Sequence, residues 1–299
     1  VIAFLLNGLM NALLKMDISQ QLSLTITLLV FFGCYMSLFL ALPSIGTEIN
    51  NLLQNLPIIV SSFQQTLVEM NNYFSKEDID LIFANLSNQI NSLLSSALGQ
   101  LAGTISLVFN AILYAIMIPL MVFFFLKDKN ELLPIASFLL PKENGFMQSV
   151  FSEMNDQLFN YVTGKFLEMI IVASASYILF AALGLPYAVL IAILVGLSVI
   201  IPIFGAILVT VPVVLIGLYE WGVSENFYWL LGFYLLIQIL DGNVLVPILF
   251  STRNNLHPAV IIVAILFFGG IWGFWGLFFA IPLATFIKAI INSWPEPID

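Results

Sequence analysis

The stretch Pro186–Tyr219, PYAVLIAILVGLSVIIPIFGAILVTVPVVLIGLY, decides the fold. It runs 34 residues without a charged side chain. At about 1.5 Å per residue a single helix of that length overshoots a hydrocarbon core of roughly 30 Å, whereas two full spans need about 40 residues. A hairpin of two short helices fits, and Ile201-Pro202-Ile203-Phe204-Gly205 supplies the break at its centre. Glu220 and Glu225 beyond it suggest that the chain leaves on the side from which it came.

The run Leu256–Ile287 poses the same problem at 32 residues, with Gly269, Gly270, Gly273 and Gly276 in its middle, and reads as a second hairpin. Side by side, LPYAVLIAILVG…FGA…VP (185–212) and HPAVIIVAILFFGG…WGL…IP (257–282) form a faint repeat. In each a proline opens the segment, glycine interrupts it, and a proline recurs 24 to 26 positions later. Broken backbone at membrane depth is tolerated only where protein or a watery cavity satisfies its N–H and C=O groups. Interrupted hydrophobic segments in oppositely oriented halves are a sequence pointer to a transporter's central site. Trp272 and Trp275 keep open a full crossing by the second hairpin, because paired tryptophan prefers the interface.

Composition sets the solvent. The chain is 61% hydrophobic and 8% charged, with a mean hydropathy of +1.07, against a charged fraction of about a quarter in soluble domains. Charge-free runs at Ile18–Thr47, Leu81–Leu126, Met169–Tyr219 and Asn254–Ile287 each exceed the roughly 20 residues of a bilayer span. The expected fold is all-α: a polytopic membrane protein with two inverted, Pro/Gly-broken intramembrane hairpins. The formal charge of -9 is spread over loops and points to no particular partner; no nucleic-acid partner is expected. Cys34, the single cysteine, permits no intrachain disulfide. Val1 stands directly inside an apolar run without a basic leader or small-residue cleavage site, which suggests a chain lacking an upstream segment rather than one carrying a signal peptide.

Lysine and arginine set orientation. Lys15, Lys127, Lys129, Lys142, Lys165, Arg253 and Lys288 mark the cytoplasmic side, against a lone Lys76 in the long polar region. The resulting scheme places membrane helices in 1–43, with Leu22–Leu42 crossing outward, and an external amphipathic region at 44–103. A transmembrane helix at 104–126 returns to interfacial cytoplasmic helices at 127–159, broken at Pro134 and Pro141. The C-terminal membrane region 160–299 holds hairpins at about 186–219 and 256–288. In the external region Ile79, Ile82, Phe83, Leu86, Ile90, Leu93 and Leu94 recur at helical spacing, fit for a helical layer, a subunit contact or a helix lying on the lipid surface.

Enzymatic chemistry lacks its inventory: there is no zinc-protease motif, no phosphate loop, and a single histidine, His257, followed by Pro258. No cofactor or metal is expected. Two polar sites remain. Lys165 and Glu168 are three apart on one helical face, either an ion pair at the membrane boundary or transport groups. In QILDGNVLVPILFSTRNNLHP (238–258), Gln238 and Asp241 share a face beside Asn243, while Gly242 and Pro247 loosen the backbone. A charge at bilayer depth costs at least about 2.5 to 3.5 kcal/mol, so Asp241 should face protein or a watery cavity. It reads either as a proton- or cation-responsive carboxylate or as a cap on an interrupted helix. Pro258 and Pro282 are expected to interrupt helices in the second hairpin.

Five segments carry a family resemblance: LMVFFFLKDK (120–129), YVTGKFLEMI (161–170), GLPYAVLIAILVGLSVIIPIFGA (184–206), QILDGNVLVPILFS (238–251) and NLHPAVIIVAILFFGGIWGFWGLFFAIPLATFIKAIINSWP (255–295). Together they resemble the autoinducer-2 exporter family of bacterial membrane proteins, and most closely its permease branch. The resemblance implies a multi-pass homo-oligomer of the bacterial inner membrane, a pentamer, exporting a small polar solute such as a signalling molecule or exchanging cations for protons. It maps the family's hairpin element to Pro202 and Gly205, and a second element to Asn243 and Pro247. The expected function is therefore a secondary transporter in the lipid bilayer, either passive or coupled to H+ or Na+ by antiport. Two other readings are an oligomeric envelope-maintenance scaffold and a channel-like pore.

Overall fold

The computed structural model describes residues 2–69, 80–81, 83–85, 87–89, 92, 95, 104–129, 131–132, 145–202, 204–250 and 256–292. Among them every regular element is helical: α1 (Ile2–Leu14), α2 (Gln20–Glu69), α3 (Thr104–Lys127), α4 (Gly145–Leu183), α5 (Ala188–Ser198), α6 (Phe204–Trp221) and α7 (Glu225–Leu240). A π-helical turn, Asp241–Leu245, then leads into α8 (Val246–Phe250), and α9 (Pro258–Trp272) and α10 (Phe274–Asn292) follow. Four runs are long and apolar enough to cross a membrane: Gln20–Val68, Leu158–Leu183, Phe204–Trp221 and Glu225–Phe250. The chain is an all-α, multi-pass membrane protein.

Two compact units share these helices. One comprises 1–36, 117–168 and 245–299; the other 37–116 and 169–244. Three of the four chain crossings fall inside α2, α3 and α4, and the last inside the π-helical turn. In the first unit Phe31, Val122 and Leu126 are buried together beneath Leu6, Leu24 and Leu28. Lys129 Nζ reaches Asn7 Oδ1 at 3.0 Å. Phe4 meets Phe159 edge to face at 5.4 Å, and a Cβ on Gly8 would overlap the Phe159 ring. In the second unit Phe180, Ile191, Val195, Val213, Ile216, Leu230 and Tyr234 are buried.

Both hairpins form, and each brings its two helices into contact. In the first, the end of α5 tightens: Val199, Ile200 and Ile201 N–H groups each reach back three residues, to Gly196, Leu197 and Ser198 carbonyls. Pro202 then has no N–H to continue the ladder, and the chain reverses into α6. In the second, the reversal falls on Gly273 alone, at φ 57 and ψ -132, a backbone that a side chain would strain. The first helices, 11 and 15 residues, rise only about 17 and 23 Å, too short for a roughly 30 Å core.

The faint repeat has a structural counterpart. A Cβ on Gly205 would overlap the Ser198 carbonyl, and a Cβ on Gly276 would overlap the Phe268 carbonyl. In both hairpins, then, a glycine near the start of the returning helix lets it lie against the backbone of the first, the close approach that small residues permit between membrane helices.

Several expected breaks lie elsewhere. Gly269 and Gly270 sit inside α9 and Gly276 inside α10, leaving Gly273 as the turn. A glycine weakens a helix by only about 1 kcal/mol, which neighbouring packing offsets. Pro282 lies inside α10 and does not end it. Pro258 starts α9 rather than breaking it, at the first helical position where a missing N–H costs nothing. Pro43 is no boundary, since α2 continues through Pro43 and Pro57 for 50 residues. The reason is that the apolar and the amphipathic parts share one helical period, so no change of structure is needed where composition changes. Likewise α4 runs unbroken through 159. Pro134, Pro141, Lys142, Arg253, Lys76 and most of the external apolar pattern lie outside the described residues.

Candidate functional site: a polar ladder on α7

After Glu225 and Asn226 at its start, helix α7 is apolar apart from one face towards its end. Tyr234, Gln238 and Asp241 follow at i, i+4 and i+7, which stacks them along that face. Tyr234 is 0% exposed and stacks on Phe180 of α4 at 6.3 Å. Its hydroxyl lies 3.1 Å from Thr210 Oγ1 of α6 and also contacts the Gln238 side chain. Thr210 Oγ1 in turn is 2.7 Å from the Ala206 carbonyl, one helical turn back. Gln238, half-buried, thus sits between Tyr234 and Asp241 on this face.

Asp241, half-buried, ends α7 and opens the π-helical turn. Counted from Glu225 it is 16 residues in, about 24 Å along the helix. A π turn inserts one residue into the helical ladder and re-aims backbone carbonyls and side chains; such turns gather at functional sites. Gly242 sits within it with open space around its Cα, and Pro247 follows inside α8. Asn243 is exposed and donates from Nδ2 to the Ile239 carbonyl at 2.9 Å. Its amide therefore serves the backbone of the irregular turn instead of extending the ladder.

Lys165 and Glu168 make a second polar cluster, in the other unit. Lys165 Nζ lies 2.8 and 3.1 Å from the two Glu168 oxygens. The residues are only 4% and 2% exposed, so the ion pair is buried within the protein. Lys165 Nζ also sits 5.4 Å from the Phe250 ring centre, which Gly164 admits by lacking a Cβ. The Tyr161 ring packs on Phe250 and Phe278, and its hydroxyl is buried without a hydrogen-bond partner among the described residues. His257 plays a structural part, capping α9 with Nδ1 accepting the Ala259 N–H at 3.2 Å.

Gln238 and Asp241 thus occupy one face as their spacing implies, while Tyr234 and Thr210 extend the ladder beyond what the sequence reading names. Tyr234 stands one turn before Gln238 and is legible by the same spacing. Thr210 is not, because only the packing of α6 on α7 brings it near.

Two helical hairpins and a span-length helix that ends in an irregular, carboxylate-bearing turn make a polytopic membrane protein. Comparison with known proteins gives the family: the profile of AI-2E family transporters matches residues 1–296. The chain is 41% identical over 307 residues to the protein named "Putative permease PerM" of Escherichia coli K12, covering 99% of this chain and 85% of that one. It is 27% identical to "Putative transport protein YueF" of Bacillus subtilis, covering 97% and 80%. With "AI-2 transport protein TqsA" of E. coli K12 it shares 24% identity, covering 98% and 83%. The chain belongs to the AI-2E transporter family.

Proposed function

We propose that the chain is a secondary transporter of the bacterial inner membrane, working as a homo-oligomer, that exchanges sodium ions for protons and moves a small polar solute. The observation that carries this reading is the ladder Thr210–Tyr234–Gln238 leading to Asp241 at a π-helical turn within a spanning helix. A carboxylate at that depth is costly unless protein groups, water, a proton or a cation compensate it, and an irregular backbone turn with a carboxylate suits a small hard cation. Asp241 is the ion-responsive group, Gln238 its amide neighbour, and Tyr234 and Thr210 connect it to the first hairpin. The name of the relative TqsA supports a signalling molecule of the AI-2 class as one candidate solute. Glu168 and Lys165 form a second, buried charge site, an ion pair within α4.

The test uses purified protein in liposomes with a trapped pH dye. An imposed sodium gradient should drive proton movement in the native chain, and Asp241→Asn should abolish it while leaving assembly unchanged. Proton movement that persists in Asp241→Asn would refute the assignment.

A further inference from the structure

Helix α5 begins without a cap of its own. Tyr187, at the N-cap position, holds a left-handed backbone at φ 59, and its side chain bonds none of the first-turn amides. Those amides need acceptors, and all the more in lipid. One acceptor comes from 142 residues away: the Leu190 N–H donates to Glu48 Oε2 at 2.9 Å. The carboxylate stands at the positive end of the helix, where negative charge is favoured. Two turns further along α2, Asn55 Nδ2 donates to the Tyr187 hydroxyl at 2.8 Å. Glu48 and Asn55 lie on the α2 face that continues to Ile59, 1% exposed.

We propose that Glu48 and Asn55 form a clasp that positions the α5–α6 hairpin, so that the polar half of α2 is a working part of the transport machinery and not an attached partner-binding region. The functional half of this inference rests on the transporter reading above. The link is direct: α6 carries Thr210, which meets Tyr234 at the head of the ladder, so a hairpin loosened at α5 takes Thr210 with it.

The experiment is hydrogen–deuterium exchange on the full chain in lipid nanodiscs, paired with the sodium-driven proton assay. Glu48→Leu should raise exchange of the α5 first-turn amides about five- to tenfold, the size of a lost helix cap, while α9–α10 stays unchanged as the internal control. Glu48→Gln, whose amide oxygen still accepts, should keep most of the protection and most of the proton flux that Glu48→Leu loses. Asn55→Leu and Tyr187→Phe should each give a smaller rise, with no further rise when combined. Unchanged α5 exchange in Glu48→Leu, or a Glu48→Gln variant as impaired as Glu48→Leu, would overturn the clasp. Should Glu48→Leu misfold, additive rather than shared effects of Asn55→Leu and Tyr187→Phe would overturn it instead. Exchange that follows these expectations in a chain showing no proton flux would leave the clasp standing and remove the transport reading.

Discussion

A lysine ammonium and a glutamate carboxylate, both shielded from solvent, illustrate how single residues weigh in this membrane protein. The 2.8 Å contact between Lys165 and Glu168 offsets the desolvation that burying each charge costs. Glu168→Leu alone should destabilise the protein by about 3–5 kcal/mol, since it strands the lysine charge. Lys165→Met combined with Glu168→Leu should recover most of that loss. Thermal unfolding in detergent separates the two outcomes, and a double variant as unstable as the single would show that the pair does more than neutralise itself. Tyr234→Phe removes one hydroxyl and the bond to Thr210 while keeping the stack on Phe180. It should cost about 1 kcal/mol of stability and lower ion-coupled flux, because the ladder then begins at Gln238. Asp241 and Gln238 are legible in the sequence because a carboxylate and an amide stand out in an apolar run. The ladder's contact with α6 is not, because residues 24 positions apart meet only through hairpin packing.

Among the elements, the two hairpins show how far composition alone reaches. Charge-free runs of 34 and 32 residues fit neither one span nor two, and that mismatch implies a reversal within each. It does not say which glycine turns the chain. Gly273 does so because it alone in that run takes a positive φ, whereas Gly205 and Gly276 serve close approach, and Gly270 has nothing within 4 Å of a would-be Cβ. Alanine substitution should sort them by this difference. Gly205→Ala and Gly276→Ala, each driven against a backbone carbonyl, should lose about 1–3 kcal/mol. Gly270→Ala should be neutral or stabilising by up to about 1 kcal/mol, as alanine is the better helix former. Denaturation midpoints measured in one detergent decide the point, and a destabilised Gly270→Ala would contradict it. The continuity of α2 and α4 escapes the sequence for the opposite reason: prolines and polar residues signal a change of solvent as readily as a change of structure.

For the whole molecule, membership of the AI-2E family fixes the class, and the residues on α7 supply the proposed means of coupling. Three of the four runs able to cross a membrane carry the remaining parts: one is interrupted at a carboxylate, one forms a hairpin's return, and one extends into the polar half that meets α5. With Asp241 as the coupling group, ion coupling is lost when its charge is lost, while family fold and assembly persist. The most direct measurement is radioactive sodium uptake into proteoliposomes under an outward proton gradient, comparing the native chain with Asp241→Asn and Asp241→Glu. Uptake is expected in the native chain, in reduced amount in Asp241→Glu, and at the protein-free background in Asp241→Asn. Equal uptake by all three, or none above background in the native chain, would contradict that role for Asp241.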